Sequence, residues 1–599
     1  MISNAAGEGP GLGAQTIRQT LIIWLALSAV FLLFSIPAIY KLDFPDPDDA
    51  LRLTQVRDLI AGQAWFDLHQ YRSDPAHGGV LMHWSRLVDV PLAAMILLLR
   101  PLLGQTAAEL VTMAVVPMLM LGAGLFLVAR LARMWLSPRT TMFACIALAL
   151  SVPALQQLMP LRIDHHGWQV IAALVAVNAL FATSARTGGW IVGAAMAFCL
   201  SVSLEGLPFA AALVGACALR WLRDPAERAW TVHATTAIAI VSVTLYLATR
   251  GLTDLSIYCD VVTPVHLAVL AWGAISMAAL AAWNPAPKLA LLGGFGAIAG
   301  VAVGIAAWGS PQCLGGSFSG LSPLTRILWY DRVHEGLPIW RQTLPVMAQI
   351  AVGALLGLQA TVRLALNANN PAARRFWTEY ALLLGAAIAI SFMVARAGAI
   401  AGALAAVPLG WQLQAWIEAI ERVDKPWRKA LAGLALAIGM VPSAPLSAAR
   451  LALPDGSEPG DYAELKDVSG NCALDKLPAA LKALPPGLML APLDLGPQLL
   501  AETRMSVVAT GHHRGNAAMS DVITAFLARP EVARTVVARV QADYVIECPT
   551  QVEVLNYRHL RPDGLAQVLA TGGQPAWLEP VALREKTAFR VWRVKRALY

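Results

Sequence analysis

The sequence predicts a polytopic α-helical membrane protein that carries a folded domain at its C-terminal end. Of the 599 residues, 57% are hydrophobic and only 14% are charged, whereas soluble domains usually carry about 25% charged residues. Apolar runs of about 20 residues recur, and each is long enough to cross the roughly 30 Å core of a bilayer. Because such runs are too long for barrel strands, the spans are predicted to be helices, which satisfy their own backbone in lipid.

The clearest spans, in chain order, are Leu21–Tyr40, Ala107–Val128, Trp190–Val202 with its flanks, Leu289–Trp308 and Tyr380–Val394. The first run lacks a short apolar core followed by a small-residue cleavage site, which indicates a retained helix rather than a removed signal peptide. With the weaker runs included, we expect about thirteen spans in a transmembrane domain that covers residues 1–452.

Loop charge predicts the orientation of these spans. With Arg18 placed inside, the even-numbered gaps are short and rich in arginine and lysine, as cytoplasmic loops are. The opposite gaps are longer and more acidic, and those at 41–106 and 309–342 are predicted outward loops. An odd number of spans places the tail outside, so we expect a bacterial inner-membrane protein with a periplasmic tail. The net charge of +7 comes from basic residues between spans and predicts no nucleic-acid partner.

The tail, residues 453–599, differs in composition from the spans. It is polar, with helix-like "MSDVITAFLA" and strand-like "DYVIEC". At about 145 residues it is long enough for one globular domain. We therefore predict an extracytoplasmic domain of mixed α/β structure.

The cysteines divide according to this topology. Three lie in or beside spans, and four fall outside: Cys259, Cys313, Cys472 and Cys548. An oxidising compartment would allow disulfides between Cys472 and Cys548 and between Cys259 and Cys313. Four cysteines permit three pairings, so the other two pairings stay open.

Acidic and histidine residues cluster at three outward positions. They are Asp46, Asp48 and Asp49 after the first span, Asp164, His165 and His166 between two apolar runs, and Asp331, His334 and Glu335 in the 309–342 loop. Carboxylates and imidazoles that meet at one face of a helical bundle suit a divalent cation such as Mg²⁺ or Mn²⁺. Each cluster also has a simpler interpretation, as solvated loop residues or as a hydrogen-bonded helix end.

The first two clusters resemble motifs of one enzyme family. "DDALRLTQVRDLIAG" resembles the first outward loop of the catalytic subunit of oligosaccharyltransferase, a GT-C membrane glycosyltransferase, in its single-subunit bacterial and archaeal form. Asp49 falls at the position of that family's metal-binding aspartate. "IDHHGWQ" is similar to the second motif, Asp-x-Asp, in its Asp-x-His form, which implies that Asp164 and His166 are metal ligands.

Two later stretches extend the resemblance across nearly the whole chain. "RVHEGLPIW" resembles the motif of the fifth outward loop, where Glu335, Pro338 and Trp340 match. "VARAGAIAGALAAVPLG" resembles a late helix whose arginine contacts the lipid-linked phosphate, and Arg396 falls there. The resemblance implies the GT-C fold, a polyprenyl-linked glycan donor and a Mg²⁺ or Mn²⁺ ion held by the matched acids.

One motif departs from the family. The tail of these enzymes begins with Trp-Trp-Asp-Tyr-Gly, which reads the hydroxyl residue of the Asn-x-Ser/Thr acceptor. The corresponding stretch here is "APLDLG", in which only Asp494 and Gly496 match. Asp494 is the acceptor-site candidate, but the missing aromatic residues leave open whether sequons are used. The acceptor is therefore expected to be a protein, a lipid or another glycan.

The resemblance also implies roles in catalysis. The metal would neutralise the leaving phosphate as a Lewis acid, and Arg396 would add a fixed positive charge there. Glu335, with Asp49, would orient or deprotonate the acceptor, and attack on the far face of the sugar would invert the anomeric centre. We expect Glu109 and Glu205 to be structural, and His512 and His513 to serve the fold of the tail.

Other functions remain as alternatives. A transporter or flippase of lipid-linked glycans predicts acids within broken helices at mid-membrane, whereas here the acids lie at outward span ends. A monosaccharide transferase that modifies lipid A or a polysaccharide is a closer rival. A catalytically inactive scaffold is disfavoured because all three acidic loops match at once.

Overall fold

A computed structural model describes residues 12–252, 254–452, 472, 481, 484–583 and 587–596. Ten of its helices are long and apolar enough to cross a membrane, and a pair bent by 95°, Pro426–Met440 with Ser443–Ala449, forms an eleventh candidate. The prediction of a helical integral membrane protein is confirmed. The predicted number of spans, thirteen, is reached among the described residues only if two shorter apolar helices, Pro138–Leu150 and His166–Leu180, also cross.

The helices of the membrane half are α1 (Ala14–Lys41), α2 (Pro47–Ile60), α3 (Arg86–Arg133), α4 (Pro138–Leu150), α5 (Val152–Leu155), α6 (His166–Leu180), α7 (Ala185–Val202), α8 (Leu207–Arg223), α9 (Arg228–Thr249), α10 (Pro264–Trp283), α11 (Lys288–Gly309), α12 (Pro323–Leu328), α13 (Leu344–Leu366), α14 (Pro371–Met393), α15 (Gly398–Glu421), α16 (Pro426–Met440) and α17 (Ser443–Ala452). Residues 86–106, which the sequence assigned to the first outward loop, are helical and belong to α3. Gly104, with φ of 77°, breaks α3 into two helical halves, because glycine adopts positive φ without a steric penalty.

The first outward loop contains α2 and a small antiparallel hairpin of β1 (His69–Gln70) and β2 (Val80–Leu81). The Asp46 carboxylate caps α2 by accepting a hydrogen bond from the Asp48 N–H at 2.9 Å, and Pro47 takes the first helical position. These residue types favour a helix start because the cap oxygen satisfies a free N–H and proline has none to satisfy. The acidic motif therefore forms the first turn of α2, with Asp49 on its buried face.

The C-terminal domain contains a five-stranded mixed sheet covered by helices. Its elements are β3 (Leu488–Leu490), α18 (Gly496–Glu502), β4 (Ser506–Val507), α19 (Asn516–Leu527), α20 (Pro530–Arg539), β5 (Tyr544–Glu547), α21 (Val552–Leu560), α22 (Leu565–Ala570), β6 (Leu578–Pro580) and β7 (Arg590–Val594). The strand order is β4-β3-β5-β7-β6, with β3 parallel to its neighbours and β7 antiparallel to β5 and β6. The predicted border at 452/453 adjoins residues 453–471, which lie outside the described residues.

This domain packs directly on the first outward loop. Arg72 donates hydrogen bonds to the carbonyl oxygens of Leu500 and Thr503 at 2.7 and 3.0 Å. A shared apolar cluster joins Trp84 of the loop with Val507 of the domain. Since α18 and β4 both contact the loop, the domain covers the end of the bundle that carries this loop. We call it the roof domain, and we call this end the outward end after the predicted orientation.

Two disulfides are present in the structure. Cys259–Cys313 joins the segment before α10 to the loop after α11, with the Cα atoms 5.1 Å apart. Cys472–Cys548 lies within the C-terminal domain. These are the two disulfides that the sequence analysis names. Both lie on the side of the molecule where the roof domain packs.

Candidate active site

Asp49 anchors the loop that carries the second acidic motif. It is fully buried, and its Oδ1 accepts hydrogen bonds from the N–H groups of Ile163 and Asp164 at 2.7 and 3.0 Å. Asp164 Oδ1 in turn accepts a hydrogen bond from the N–H of His166 at 3.0 Å, where α6 begins. Residues that are more than 100 positions apart in the chain thus form one site at the outward end of the bundle.

Arg162 lies at the centre of this cluster. Its guanidinium is within 3.1 Å of Asp46, 3.2 Å of Asp49 and 3.1 Å of Asp164. Gln157 accepts a further hydrogen bond from it at 2.8 Å. Only 6% of the Arg162 side chain is exposed, so this arginine supplies buried positive charge to three carboxylates at once.

His166 faces two carboxylates across a gap. Its Nε2 is 3.7 Å from Asp164 Oδ2 and 4.0 Å from Glu335 Oε1. These distances are too long for hydrogen bonds, but two oxygen or nitrogen ligands of one Mg²⁺-sized cation lie about 3 to 4 Å apart. Nδ1 of the same ring is 3.2 Å from Gln169 Oε1, a partner that fixes the ring as outer-shell groups fix metal-ligating histidines. Among the described residues, Asp164, His166 and Glu335 do not form a group whose donor atoms all lie within 4.8 Å of one another, so the gap offers a cation pairs of nearby ligands rather than a complete set.

The cluster is short of positive charge. The carboxylates are Asp46, Asp48, Asp49, Asp164, Glu205 and Glu335, and the guanidinium groups among them are Arg162 and Arg396. Burial, followed by the charges of Asp46 and Glu335, raises the pKa of Asp48 well above its ordinary value. Burial alone would raise the pKa of Asp164 too, but the charges of His166 and Arg162 lower it. Protonation of an acid such as Asp48 or an added cation would each relieve this imbalance.

Arg396 lies at the edge of the same cluster. It belongs to a short helical turn at residues 395–397 that connects α14 to α15 at the outward end. Its Nη1 is 3.0 Å from Glu335 Oε1, and its Nη2 pairs with Glu205. A carboxylate from the 309–342 loop and one from the turn before α8 thus hold the guanidinium in place.

Histidines form the opposite wall, where the roof domain meets the first loop. His83 Nδ1 is 2.8 Å from His512 Nε2, and the rings of His512 and His513 stack with centroids 4.9 Å apart. His513 Nε2 contacts Asp260 at 2.7 Å, and Arg514 pairs with the same carboxylate at 2.7 Å. Burial, followed by the neighbouring imidazoles, lowers the pKa of His83 and His512 well below the ordinary value. This wall is therefore nearly neutral.

Asp494 faces the acidic cluster from the roof domain. Glu553 holds its loop, because the Glu553 carboxylate accepts hydrogen bonds from the N–H groups of Leu493 and Asp494 at 2.8 and 2.9 Å. Tyr557 donates a third hydrogen bond to that carboxylate at 2.5 Å. Asp494 is exposed to the cavity, where desolvation by the surrounding protein, followed by the charge of Asp46, raises its pKa to about 6.

Two cavities meet at the edge of the acidic cluster. A cavity of about 560 Å³ lies under the roof domain, with Asp48, Glu335, Arg396, Asp494 and His512 among its lining residues. A second cavity of about 410 Å³ lies between membrane helices and has a mainly apolar lining that includes Val170, Leu207, Ala306, Ile390 and Ile400. Glu205 and Arg396 line both cavities. The arrangement would let an apolar chain lie in the bundle while a polar head reaches the acidic cluster.

Three solved structures of oligosaccharyltransferases from Archaeoglobus fulgidus, the first of them named AglB, are similar to this chain. The complex with an inhibitory peptide and a dolichol-phosphate has a TM-score of 0.63 and 13% identity, and the match covers 93% of this chain and 72% of that one. The form tethered to an acceptor peptide with an NVT sequon has a TM-score of 0.59 and 14% identity, and the match covers 95% of this chain and 74% of that one. The complex with Zn and sulfate has a TM-score of 0.55 and 14% identity, and the match covers 92% of this chain and 70% of that one. The chain has the fold of an oligosaccharyltransferase. No protein-family model and no curated protein sequence matches it.

This oligosaccharyltransferase fold confirms the GT-C prediction, and the mixed sheet confirms the predicted class of the tail. The structure brings Asp49, Asp164, His166, Glu335 and Arg396 together at the acidic cluster. Asp49 and Asp164 meet through Arg162 and the backbone rather than around a shared gap. Their catalytic and metal-binding roles stay predictions.

Other residues of the site were not assigned from the sequence. Arg162 directly precedes the quoted motif "IDHHGWQ", yet nothing in its spacing indicates three carboxylate partners. Glu205 was interpreted as structural, but it pairs with Arg396 and lines both cavities. His512 and His513, which were expected to serve the fold of the tail, also line the cavity. Glu109 does have a structural partner, Arg57, at 2.7 Å.

Proposed function

We propose that this protein is a membrane glycosyltransferase that moves a sugar or oligosaccharide from a polyprenyl phosphate or pyrophosphate carrier to an acceptor outside the cytoplasm. The observation that carries the proposal is the position of the acidic cluster. It lies where the apolar cavity between the helices opens into the polar cavity under the roof domain. A transporter would need its charged groups within the spans, whereas these lie at outward helix ends.

The donor enters from the side of the membrane in this proposal. Its polyprenyl chain occupies the apolar cavity, beside Leu207 and Ile390. Its phosphate reaches Arg396, which can donate two parallel hydrogen bonds to phosphate oxygens. The binding of dolichol-phosphate by a protein of the same fold supports this assignment.

A divalent cation, Mg²⁺ or Mn²⁺, would be held by Asp164 and His166 across the gap they share with Glu335, with Asp49 as the buried support of their loop. Such a cation supplies Lewis-acid stabilisation of the negative charge on the departing phosphate. Arg162 pairs with Asp49 and Asp164. Its positive charge reduces the repulsion between these carboxylates, which lets their remaining oxygen atoms face the cavity. Oxygen and imidazole ligands suit both metals.

The acceptor approaches through the polar cavity. Glu335 is one-third exposed there and is positioned to orient the acceptor nucleophile or to take its proton. Asp494 lines the roof side of the same cavity and is assigned to acceptor binding. Attack opposite the leaving phosphate inverts the sugar's anomeric centre. Pro492 and Leu493 stand where the family motif has its two tryptophans. The acceptor can therefore be a protein without a sequon, a lipid or a glycan.

The membrane domain, 1–452, would supply donor binding and catalysis, and the domain at 453–599 would shape the acceptor side. We place the protein in the bacterial inner membrane, with the cavity and the roof domain in the periplasm. The basic cytoplasmic gaps support this orientation, and so do the disulfides, which form in oxidising compartments.

The test measures polyprenyl-linked glycans by mass spectrometry in cells that lack this protein. The cells are complemented with the wild type, with Glu335→Gln or with Arg396→Gln, and membrane levels of each protein are matched. A lipid-linked glycan should accumulate in the deletion strain and with both variants, and its mass identifies the donor. Asp43→Asn, a change at an exposed acid of the same outward region, should behave as wild type. If no lipid-linked sugar changes in any strain, the proposed reaction is wrong.

A further inference from the structure

A group of three histidines stands apart from the acidic cluster. One ring nitrogen from each of His83, His512 and His513 lies within 4.8 Å of the other two. In the part of the chain that the structure describes, no other group of three histidine, cysteine or acidic side chains meets this distance. The three residues come from two regions, since His83 follows β2 in the first outward loop and the other two precede α19 in the roof domain.

The hydrogen bonds around the group leave ring nitrogens facing one another. His513 Nε2 lies 2.7 Å from Asp260 Oδ2, and a neutral His513 ring that donates to this carboxylate has its lone pair at Nδ1. His83 Nδ1 and His512 Nε2 face each other at 2.8 Å, and a single proton between them can serve only one of these two atoms. A hydrogen bond within the pair uses these two atoms, whereas the third ring is held by Asp260 and presents its other nitrogen to the group.

We propose that His83, His512 and His513 bind a transition-metal ion of the Zn²⁺ class, as a second cation site separate from the acidic cluster. Three neutral imidazoles suit zinc and its neighbours, whereas Mg²⁺ prefers oxygen ligands. Zinc sites of this kind use three protein ligands and leave a fourth position for water or substrate. Because the same residues line the polar cavity, the fourth position opens toward it.

The geometry needs only small adjustment to hold the ion. Zinc–nitrogen bonds of about 2.0–2.1 Å put tetrahedral ligand atoms about 3.3 Å apart. The pair at 2.8 Å would open slightly and the third nitrogen would move inward. Asp260 already stands behind His513 as the carboxylate that metal-bound imidazoles usually have.

The charges around the group also bear on what the fourth ligand is. Asp260 is paired with Arg514, and the Arg250 guanidinium donates to the His83 carbonyl at 3.2 Å. Three neutral ligands leave the charge of the ion uncompensated, and these arginines add to it. The site therefore takes an anionic oxygen as its fourth ligand, from hydroxide or from a phosphate or carboxylate group in the cavity.

A bound ion would also join two parts of the molecule. One ligand belongs to the loop of the membrane half and two belong to the roof domain, so binding stabilises their contact and fixes this wall of the cavity. The proposal does not depend on the transferase reaction. It concerns what these imidazoles bind, and it is tested without measuring sugar transfer.

The experiment uses the full chain in detergent, purified with a tag that contains no histidine. The protein is stripped with a chelator, reloaded with Zn²⁺ or Co²⁺ and separated from free metal. Metal content is measured by mass spectrometry, and the visible absorption of tetrahedral Co²⁺ reports the coordination. The variants are His83→Ala, His512→Ala and Asp260→Asn. The controls are His77→Ala, a mostly exposed histidine of the same loop, and Asp164→Asn in the acidic cluster.

Wild type and His77→Ala should retain the Zn²⁺ ion of the histidine group and the tetrahedral Co²⁺ spectrum. Asp164→Asn, which removes a ligand of the acidic cluster, should retain this spectrum too. Both His83→Ala and His512→Ala should lose the ion and the spectrum, and Asp260→Asn should weaken Zn²⁺ binding about 10- to 100-fold. Reloaded wild type that retains no Zn²⁺ overturns the proposal, whatever the variants do. The same holds if monodisperse His83→Ala and His512→Ala keep the wild-type content, or if the Co²⁺ spectrum disappears in Asp164→Asn instead.

Discussion

The two walls of the outward cavity differ in charge, although both are built from buried titratable side chains. The membrane wall holds carboxylates around Arg162, and the roof wall holds imidazoles whose pKa values burial keeps low, as at His512. One wall therefore concentrates negative charge beside the apolar cavity, and the other stays nearly neutral beneath the domain. In the proposed reaction, this difference places the phosphate of the lipid carrier and its cation at the membrane wall, and the acceptor between the walls.

The largest expected effect comes from removing a ligand of the membrane wall. Asp164→Asn keeps the shape of the side chain but removes the charge that faces His166 across the 3.7 Å gap. We expect kcat/KM for sugar transfer to fall about 10³-fold, which is typical for loss of a preorganised electrostatic contact at a reacting group. Transfer is measured with purified protein and the lipid-linked glycan that accumulates in the deletion strain. Asp43→Asn is the matched control, and wild-type activity in Asp164→Asn would break the comparison between the walls.

Arg162→Gln tests whether the membrane wall depends on its own arginine. The variant leaves Asp46, Asp49 and Asp164 without their shared positive partner, in a place where only 6% of the arginine side chain is exposed. Removing one partner from a buried ion pair costs about 3 kcal/mol or more. We expect a clearly lower thermal midpoint in detergent. Arg561→Gln, which removes an ion pair at the surface with Asp563, should leave the midpoint unchanged.

An unchanged midpoint in Arg162→Gln would mean that the carboxylates do not need the guanidinium. The acids would then avoid the cost of burying a negative charge by taking up protons, as the raised pKa of Asp48 allows. Titrating the variant with Mn²⁺ separates these cases, because a cation that replaces the guanidinium raises the midpoint of the variant more than that of wild type.

Much of the fold follows from the sequence, because long apolar runs have few alternatives in a membrane. The predicted spans fall on α1, α3, α7, α11 and α14. The start of α3 was missed because Arg86 and Asp89 interrupt the apolar pattern. In the structure both are buried and pair with each other at 3.1 Å, so their charge no longer signals a loop.

The candidate site was predicted as a set of motifs but not as a set of contacts. Motif order brought Asp49, Asp164, Glu335 and Arg396 to one place. The central position of Arg162 depends on a contact between α2 and the loop before α6, and no local pattern encodes that contact. The histidine group likewise joins residues 429 positions apart, a pairing that only the docking of the roof domain creates.

Asp494→Asn tests the roof side of the comparison, with a smaller expected effect. If ionised Asp494 orients the acceptor, kcat/KM should rise as pH passes through about 6, where its pKa lies. The variant should lose this part of the pH profile and be about tenfold slower at neutral pH, as for loss of one hydrogen bond. Asp563→Asn, at an exposed position of the same domain, is the control. If Asp494→Asn keeps the wild-type pH profile, Asp494 does not orient the acceptor, and only residues of the membrane wall do.

The smallest effect concerns a buried acid of the roof domain that lies outside the cavity. Glu547 is fully buried in β5, neither of its carboxylate oxygens has a hydrogen-bond partner among the described residues, and burial raises its pKa to about 8. Because the folded state binds this proton more tightly than the unfolded state, its contribution to stability is complete below pH 4.5 and is lost as pH rises through 8. Glu547→Gln removes the titration, so the variant should gain about 1 kcal/mol over wild type above pH 8, measured as the thermal midpoint between pH 5 and 9. Equal pH dependence in both proteins would show that Glu547 is ionised in the fold. Transfer activity should not change, because the charge that matters for the reaction lies on the membrane wall.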